Sequence, residues 1–458
     1  MRLGSKIWFI WFLLALAGFH LAFEIRGLEL GIVVFFIALL ELNGVDTPRK
    51  AFYTGLLLGL LIYSPQLGFF YVIFKLGAVP LWGILSAWLA VFQLISWKAL
   101  RKFGDVYGSF AVPIFWCAIE YFRSELYYLR FSWLSPGMAL STADWARGWF
   151  VWGSYGVGFL LATAAVCMWL GWRAKQGSVV IATLAAGVAM LFLPAAIDRK
   201  VETEGRSVSI AGIQFEFAGL AEVLEGLERT RQAAPKAELV VLSEYTFEGP
   251  IPERVLRWCR KHQCHLIAGG KESVGQNNFF NTVYVIDPSG NVIFKQGKSV
   301  PIQFFRDGLP APTQEIWNSP WGKIGIAVCY DLSYRRVIDR LVAMGAEALI
   351  IPTMDVAEWG KRQHQLHGRM GPMRAREYGL PVFRLCSSGI SQIIDANGAL
   401  LASAPFPGQA SIIQGELFLK GSGRIPWDHW LAPACGLLSL IALLHFLVSS
   451  RFHVRGKP

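Results

Sequence analysis

Long apolar runs separated by short polar connections fill the first two hundred residues, and then the pattern changes. A helix needs about 20 largely apolar residues to cross a bilayer. On that criterion eight spans are predicted, near 6–23, 27–43, 52–74, 79–97, 107–126, 149–171, 178–197 and 429–449. Pro65 and Gly68 interrupt the third, which reads as kinked or re-entrant. The Ile7–Phe23 run is long and another span follows almost at once, so it is not read as a cleavable signal peptide.

Between the seventh and eighth spans, residues 205–420 alternate between strand and helix patterns. Ser207–Phe217 reads as a strand, Ala221–Ala233 as an amphipathic helix and Glu238–Leu242 as a strand. A helix over Pro252–His262 and a strand over His265–Gly269 follow. Phe280–Ile286 and Val292–Lys295 form a hairpin around Asp287-Pro-Ser-Gly290, a strong turn signal. Ile324–Cys329 is a strand, Arg335–Met344 a helix and Ala348–Ile351 a strand. Met373–Tyr378 is helical, Val382–Cys386 is a strand, and two more strands flank Asp395-Ala-Asn-Gly398. This alternation predicts an α/β domain, large enough at about 215 residues for a core of its own.

The chain thus divides into a membrane domain of about seven spans (1–200), an α/β domain (205–420), a last span (428–450) and a basic tail (451–458). Composition agrees: 54% of the 458 residues are hydrophobic and 16% charged, against about 25% charged in ordinary soluble domains. The net charge of +11 comes largely from basic residues between apolar spans, so it sets topology and not nucleic-acid binding. Arg2, Lys6, Arg49, Lys50, Lys98, Arg101, Lys102, Arg173, Lys175, Arg451, Arg455 and Lys457 fall on one side; the other has Arg26, Lys75, Arg123, Arg130 and Arg147. Twelve against five puts both termini in the cytoplasm and 205–420 on the far face, periplasmic in a bacterial inner membrane.

Three polar residues close strand patterns within that domain. Glu244 ends Ala237-Glu-Leu-Val-Val-Leu-Ser-Glu244, Lys298 follows the hairpin, and Cys329 ends Lys323-Ile-Gly-Ile-Ala-Val-Cys329. Alone, each is ordinary: a solvated strand end, a surface charge, a core thiol. Together they form a nucleophilic set. A thiol attacks as thiolate, a carboxylate takes its proton, and an ammonium stabilises the oxyanion that follows. Strand carboxyl ends are also where α/β sheets build their sites. The other cysteines, 117, 167, 259, 264, 386 and 435, outline no disulfide framework. Cys259, His262, Cys264 and His265 fit no common zinc spacing, so neither metal nor cofactor is expected. His364 and His367 lie on a polar segment, 361–369, that reads as a solvated loop or a mobile loop near the site.

Val-Leu-Ser-Glu244, Gly290 through Lys298-Ser-Val-Pro301, and Cys329-Tyr-Asp331 resemble the glutamate, lysine and cysteine motifs of the carbon–nitrogen hydrolase (nitrilase) superfamily. Arg374-Ala-Arg-Glu377-Tyr-Gly and Ser388-Gly-Ile-Ser391 resemble its later motifs. The resemblance implies a four-layer α-β-β-α sandwich with Glu244, Lys298 and Cys329 as catalytic residues. The whole layout, spans followed by a nitrilase-like domain and one more span, resembles the apolipoprotein N-acyltransferases, as does Trp133-Leu-Ser-Pro-Gly137. It implies acyl transfer from a membrane phospholipid, through a cysteine thioester, to the amino terminus of a diacylated lipoprotein, by a monomer. A membrane-tethered amidase or nitrilase is the alternative. The two differ in what the spans are for: a tether needs one, whereas eight imply a lipid entrance.

Supporting roles fall to Tyr330, Asp331, Asp307, Phe304 and Phe305. The acyltransferases usually follow the lysine with Val-Pro-Phe-Gly-Glu, whereas this chain has Val300-Pro301-Ile-Gln303-Phe-Phe-Arg306-Asp307. Arg306 occupies the place of that second glutamate, and adjacent Asp307 is the candidate substitute. Asp331 stands where the acyltransferases more often carry glutamate. Phe304 and Phe305 are candidate acyl-chain or membrane contacts. Glu24, Arg26, Glu120 and Arg123 are candidate lipid head-group contacts or ordinary interfacial charges.

Overall fold

The computed structural model describes residues 4–174, 181, 182, 185, 206–419 and 421–455. They form two compact units, residues 1–199 with 426–458, and residues 200–425.

The first unit is helical: α1 (Ser5–Glu24), α2 (Gly31–Leu42), α3 (Pro48–Gln66), α4 (Phe69–Phe74), α5 (Ala78–Tyr121), α6 (Pro136–Leu140), α7 (Gly153–Arg173) and, after the second unit, α13 (Asp428–Arg455). Thr47 caps α3 by accepting from Lys50 N, with Pro48 in the first turn, where its missing N–H costs nothing. The break between α3 and α4 falls just after Pro65, at Leu67 and Gly68. α5 contains both the fourth and fifth expected spans; Gly104, at φ 76° and ψ 174°, bends the chain between them. α3 and α5 pack through small residues: a Cβ at Gly59 would come 2.6 Å from Ser86 Cα, and one at Gly55 2.7 Å from Ala90 Cα. Among the described residues, four stretches are long and apolar enough to cross a membrane: Ser5–Glu24, Phe69–Leu126, Asp144–Arg173 and Asp428–Val448. The span expected over 178–197 lies outside the described residues.

Glu120 and Arg123 are buried within the helical unit. Glu120 accepts from Trp116 Nε1 at 3.1 Å, and Arg123 donates to the carbonyls of Phe131 and Trp133. An ionisable group inside an apolar bundle needs such partners, because bare it costs several kcal/mol. At the loop between α1 and α2, Glu24 accepts from Gln66 at 3.0 Å and Arg26 lies 3.6 Å from Asp144.

The second unit has two six-stranded sheets. Its strands are β1 (Arg206–Ile213), β2 (Leu239–Val241), β3 (His265–Val274), β4 (Asn278–Ile286), β5 (Val292–Gly297), β6 (Ile316–Ser319), β7 (Gly322–Ile326), β8 (Ala348–Thr353), β9 (Val382–Cys386), β10 (Ser391–Ile394), β11 (Leu400–Ala404) and β12 (Ile412–Leu419). One sheet runs β12-β1-β2-β3-β4-β5, the other β11-β10-β9-β8-β7-β6. The inner strands β1-β2-β3 and β7-β8-β9 are parallel, and the outer pairs antiparallel. Helices α8 (Leu220–Ala233), α9 (Glu253–His262), α10 (Arg335–Ala343), α11 (Lys361–Gly368) and α12 (Met370–Tyr378) complete it.

Strand alternation explains the layers. Val208, Ile210, Leu239, Val241 and Ile267 of the first sheet meet Ile324, Ile326, Ile350, Phe383 and Leu385 of the second in one dry core. Ala211, Ile213, Val240, Leu266 and Ala268 point the other way, against Val223 and Leu227 of α8 and Val255 and Trp258 of α9. On the far side, α12 packs against β9 and β10, and Leu341 of α10 approaches Gly325 of β7. This is the α-β-β-α sandwich. The missed elements are β6, β12 and α11. The segment 361–369, read as a solvated or mobile loop, is mostly the helix α11, with His364 and His367 buried.

Candidate active site

Parallel strands present their carboxyl ends on one side, so residues distant in sequence converge there. Glu244 follows β2, Lys298 follows β5, Cys329 follows β7 and Met354 follows β8. The Lys298 ammonium lies 2.9 Å from Glu244 Oε1 and 2.7 Å from Asp307 Oδ2, with all three side chains buried. The Cys329 thiol, 2% exposed, lies 3.8 Å from the Met354 carbonyl, with the Glu244 carboxylate near enough to act on its charge. Met354 N–H donates to Glu244 Oε2 at 2.8 Å, so each oxygen of that carboxylate is engaged. Glu244 and Lys298 are thus in direct contact, and the Met354 peptide links Glu244 to Cys329.

Asp307 completes the charge balance. Besides Lys298 it accepts from Tyr245 Oη (2.7 Å), Ile302 N (2.7 Å) and Asn281 Nδ2 (3.0 Å). Asn281, which the sequence reading missed, also donates to Glu244 Oε1 at 2.5 Å and so ties the two carboxylates together. Its signal was faint: a polar residue in the fully buried half of β4. Arg306 is exposed at the rim of the adjoining pocket and donates to the Asn277 carbonyl at 3.2 Å. Asp331 holds two loops together, accepting from Ser299 N, Val300 N and Val328 N at 3.0, 2.7 and 3.1 Å. Burial pushes its carboxyl up to about 6 against the pull of those donors. Tyr330 is half-buried and packs edge-on to Tyr334.

Burial sets the resting protonation. It pushes the Cys329 thiol well above its ordinary range, with Glu244 adding to the effect and Lys298 opposing it. It also raises Glu244, which Lys298 opposes and Asp307 reinforces. For Lys298 burial works against the charge, but Asp307 and Glu244 outweigh it and hold the ammonium well above its usual value. The set rests as a neutral thiol beside a carboxylate and a fixed cation.

A pocket of about 250 Å³ opens onto this set, lined among others by Glu244, Lys298, Asp307, Met354, Tyr245 and Phe305. Phe217 and Trp359 also line it, and Trp359 lies 6.1 Å from the Phe305 ring. Phe217 and Phe304 are 76% and 68% exposed, far more than bulky aromatics usually are. Phe217, Tyr245, Phe304 and Cys329 all have left-handed φ, between 52° and 69°. That conformation is uncommon for residues with a Cβ and clusters at functional sites.

Cys386, the other strand-end thiol, is buried and held far up by burial; it bonds to the Ile390 carbonyl. Cys264 likewise faces backbone carbonyls, and His262 pairs with Glu228 at 3.1 Å. Among the described residues, no group of three or more His, Cys, Asp or Glu is arranged to hold a metal ion.

Residues 213–424 match the carbon–nitrogen hydrolase family, and residues 7–167 match the apolipoprotein N-acyltransferase N-terminal domain. The chain is 24% identical to an apolipoprotein N-acyltransferase of Geobacter metallireducens, over 94% of each chain. It is 21% identical to that of Shewanella oneidensis, over 80% of each. Nit3 of Saccharomyces cerevisiae, a nitrilase-superfamily member, superimposes with a TM-score of 0.41 at 19% identity, over 48% of this chain and 93% of that one. Two matches in tandem, the helical part to one domain and the sandwich to the other, mean that the chain belongs to the apolipoprotein N-acyltransferase family of the nitrilase superfamily.

Proposed function

We propose that this protein N-acylates lipoproteins, using Cys329 as nucleophile, Glu244 as general base and acid, and Lys298 as oxyanion donor. One observation carries the reading: the buried Glu244 carboxylate meets the Lys298 ammonium through one oxygen and, through the other, the Met354 peptide whose carbonyl lies 3.8 Å from the Cys329 thiol.

The chemistry follows from those contacts. As the sulfur attacks the ester carbonyl of a phospholipid, its proton passes to Glu244. Negative charge gathers on the former carbonyl oxygen. The Lys298 ammonium has three N–H donors and spends two on Glu244 and Asp307, leaving one for that oxygen. Collapse breaks the ester C–O bond, Glu244 returns the proton to the leaving oxygen, and a lysophospholipid departs from an acyl-Cys329 thioester. The free amine of a diacylated lipoprotein then attacks the thioester. Glu244 takes a proton from the amine and gives it back to the departing sulfur, leaving an amide. Asp307, locked by Tyr245, Asn281 and Ile302, keeps Lys298 charged and in place. Phe217, Phe305 and Trp359 supply aromatic surface at the pocket for the acyl chain and against water. The basic asymmetry of the loops supports a catalytic unit on the periplasmic face of the inner membrane.

The test is a reconstitution. Purified protein is mixed with labelled phospholipid and a diacylated lipopeptide, and products are read by mass spectrometry. Acylated lipopeptide plus lysophospholipid is the expected result, lost in Cys329→Ala. Free fatty acid without acylated lipopeptide would assign the chain to hydrolysis instead.

A further inference from the structure

Met354 has an unusual position: its N–H anchors Glu244 and its carbonyl touches the Cys329 thiol. A single peptide segment therefore spaces the base from the nucleophile. What fixes that segment is the next residue, Asp355, which is fully buried. Its N–H donates to Ser387 Oγ at 3.1 Å, and its carbonyl accepts from Ser387 Oγ at 2.8 Å and Ser388 Oγ at 2.5 Å. Its carboxylate accepts from Gln363 Nε2 at 2.9 Å and meets His367 Nδ1 at 2.8 Å and Arg384 Nη2 at 2.5 Å. A second bond from Arg384, to the Ile390 carbonyl at 2.8 Å, fixes its guanidinium. Backbone and side chain of Asp355 are both engaged, although it lies outside the Glu244, Lys298 and Cys329 set.

We propose that Asp355, held by Arg384, His367 and Ser387, is a positioning residue that fixes the Met354 peptide between Glu244 and Cys329. The proposal rests on the catalytic reading of those two residues. A fully bonded carboxylate paired with a buried guanidinium gives the loop after β8 one geometry, and a shift of about 1 Å at a reacting centre costs roughly 10²-fold in rate. The pair has an electrostatic side as well. The charged groups acting on Cys329 are Glu244, Lys298, Asp355 and Arg384. Asp355 alone would disfavour the thiolate, and Arg384 offsets it.

The experiment uses the full-length protein, with Asp355→Asn, Arg384→Gln and the double variant. Two quantities are read: acyl-enzyme formation from phospholipid, and the pH midpoint for alkylation of Cys329 by iodoacetamide, with Cys329→Ala as blank. Asp355→Asn should lower kcat about 10²-fold with KM for phospholipid nearly unchanged. Its alkylation midpoint should fall by roughly one pH unit, because Arg384 is left unbalanced, whereas Arg384→Gln should raise it by a similar amount. The double variant should return toward the wild-type midpoint. A purely structural role would not produce shifts of opposite sign.

Ser387→Ala removes only the hydroxyl bridging the Asp355 N–H and carbonyl, so it carries the rate test if the charge variants do not fold. It should lose about tenfold in kcat with KM kept. Wild-type kcat in Ser387→Ala, or unchanged midpoints in both folded charge variants, would overturn the proposal. Failure of the catalytic reading looks different: Cys329→Ala would itself still transfer acyl chains.

Discussion

Asp307 lies 2.7 Å from Lys298, although in the resemblance to the acyltransferase motif it is its neighbour Arg306 that falls at the second glutamate. The backbone resolves the mismatch. Phe304 takes a left-handed φ of 69°, and Asp307 Oδ2 accepts from Ile302 N. The loop closes on itself and delivers Asp307 inward, while Arg306 stays exposed. A one-residue slip in sequence leaves a carboxylate on the lysine.

Asp307 should therefore be needed for both stability and turnover. Asp307→Ala strips one of two carboxylates from a buried ammonium, and breaking a buried pair costs about 3–5 kcal/mol. The melting temperature should fall clearly, and acyl-enzyme formation by roughly 10²-fold or more. Arg306→Ala, by contrast, should leave the melting temperature within error. Thermal melts and single-turnover acylation of both variants check this; equal losses in the two would contradict the assignment of the inward carboxylate to Asp307.

Much of this site was legible because strand ends are legible. Glu244, Lys298 and Cys329 each close an apolar run or hairpin, and local pattern alone placed them at β2, β5 and β7. Asn281 was not, since nothing local separates a structural polar residue in a strand from one that joins two carboxylates. The segment 361–369 failed for a related reason. Its polar residues are buried because Asp355, just after β8, and Ser388, just after β9, meet Gln363, His364 and His367, a tertiary fact invisible to hydropathy. Edge strand β6 is only four residues long, too short to declare an alternation. In the helical unit, the length of apolar runs was legible, but that Glu120 and Arg123 turn inward depended on Trp116 and on the carbonyls of Phe131 and Trp133.

The pH dependence of acylation follows from Glu244. It must be ionised to take the thiol proton, and burial raises its pKa above the ordinary 4.5. Rate should thus be lost on acidification through a limb lying above 4.5. No inflection near the free-thiol value of about 8.5 is expected, because the proton leaves Cys329 during attack and not beforehand. Asp307→Asn removes a negative charge that raises Glu244, so the acid limb should move to lower pH. A pH profile of acyl-enzyme formation measures all three features; an acid limb at or below 4.5 in the wild type would be incompatible with Glu244 as the base.

Topology is separately accessible. With twelve basic residues in the short loops and tails of one side and five on the other, a reporter after Lys457 should read as cytoplasmic. One inserted at Gln276, in the exposed turn between β3 and β4, should read as the opposite side. Both on one side would mean that the last span, which alone separates them, does not cross; both readings reversed would mean an odd error among the earlier spans, most naturally where α3 breaks into α4.

The last prediction concerns the thioester itself. Cys329 and Cys386 both stand at strand ends, but the Glu244 and Lys298 that act on Cys329 line the open pocket, whereas Cys386 is fully buried and bonds to the Ile390 carbonyl. Given phospholipid and no acceptor, acyl-enzyme should accumulate, and peptide mapping should place the acyl group on Cys329. Adding a lipopeptide amine should discharge it, the ping-pong behaviour of a covalent intermediate. Slow loss to water is expected because the thiol is only 2% exposed and aromatic rings line the pocket above it. Small amides should be poor substrates, since they lack the acyl chain whose binding would drive the reaction. Lys298→Ala should slow both accumulation and discharge, as each passes through an oxyanion. Cys386→Ala should change neither. An acyl group mapped to Cys386, or rapid turnover of small amides with no acyl-enzyme from phospholipid, would move the chemistry away from lipid-to-amine transfer at Cys329.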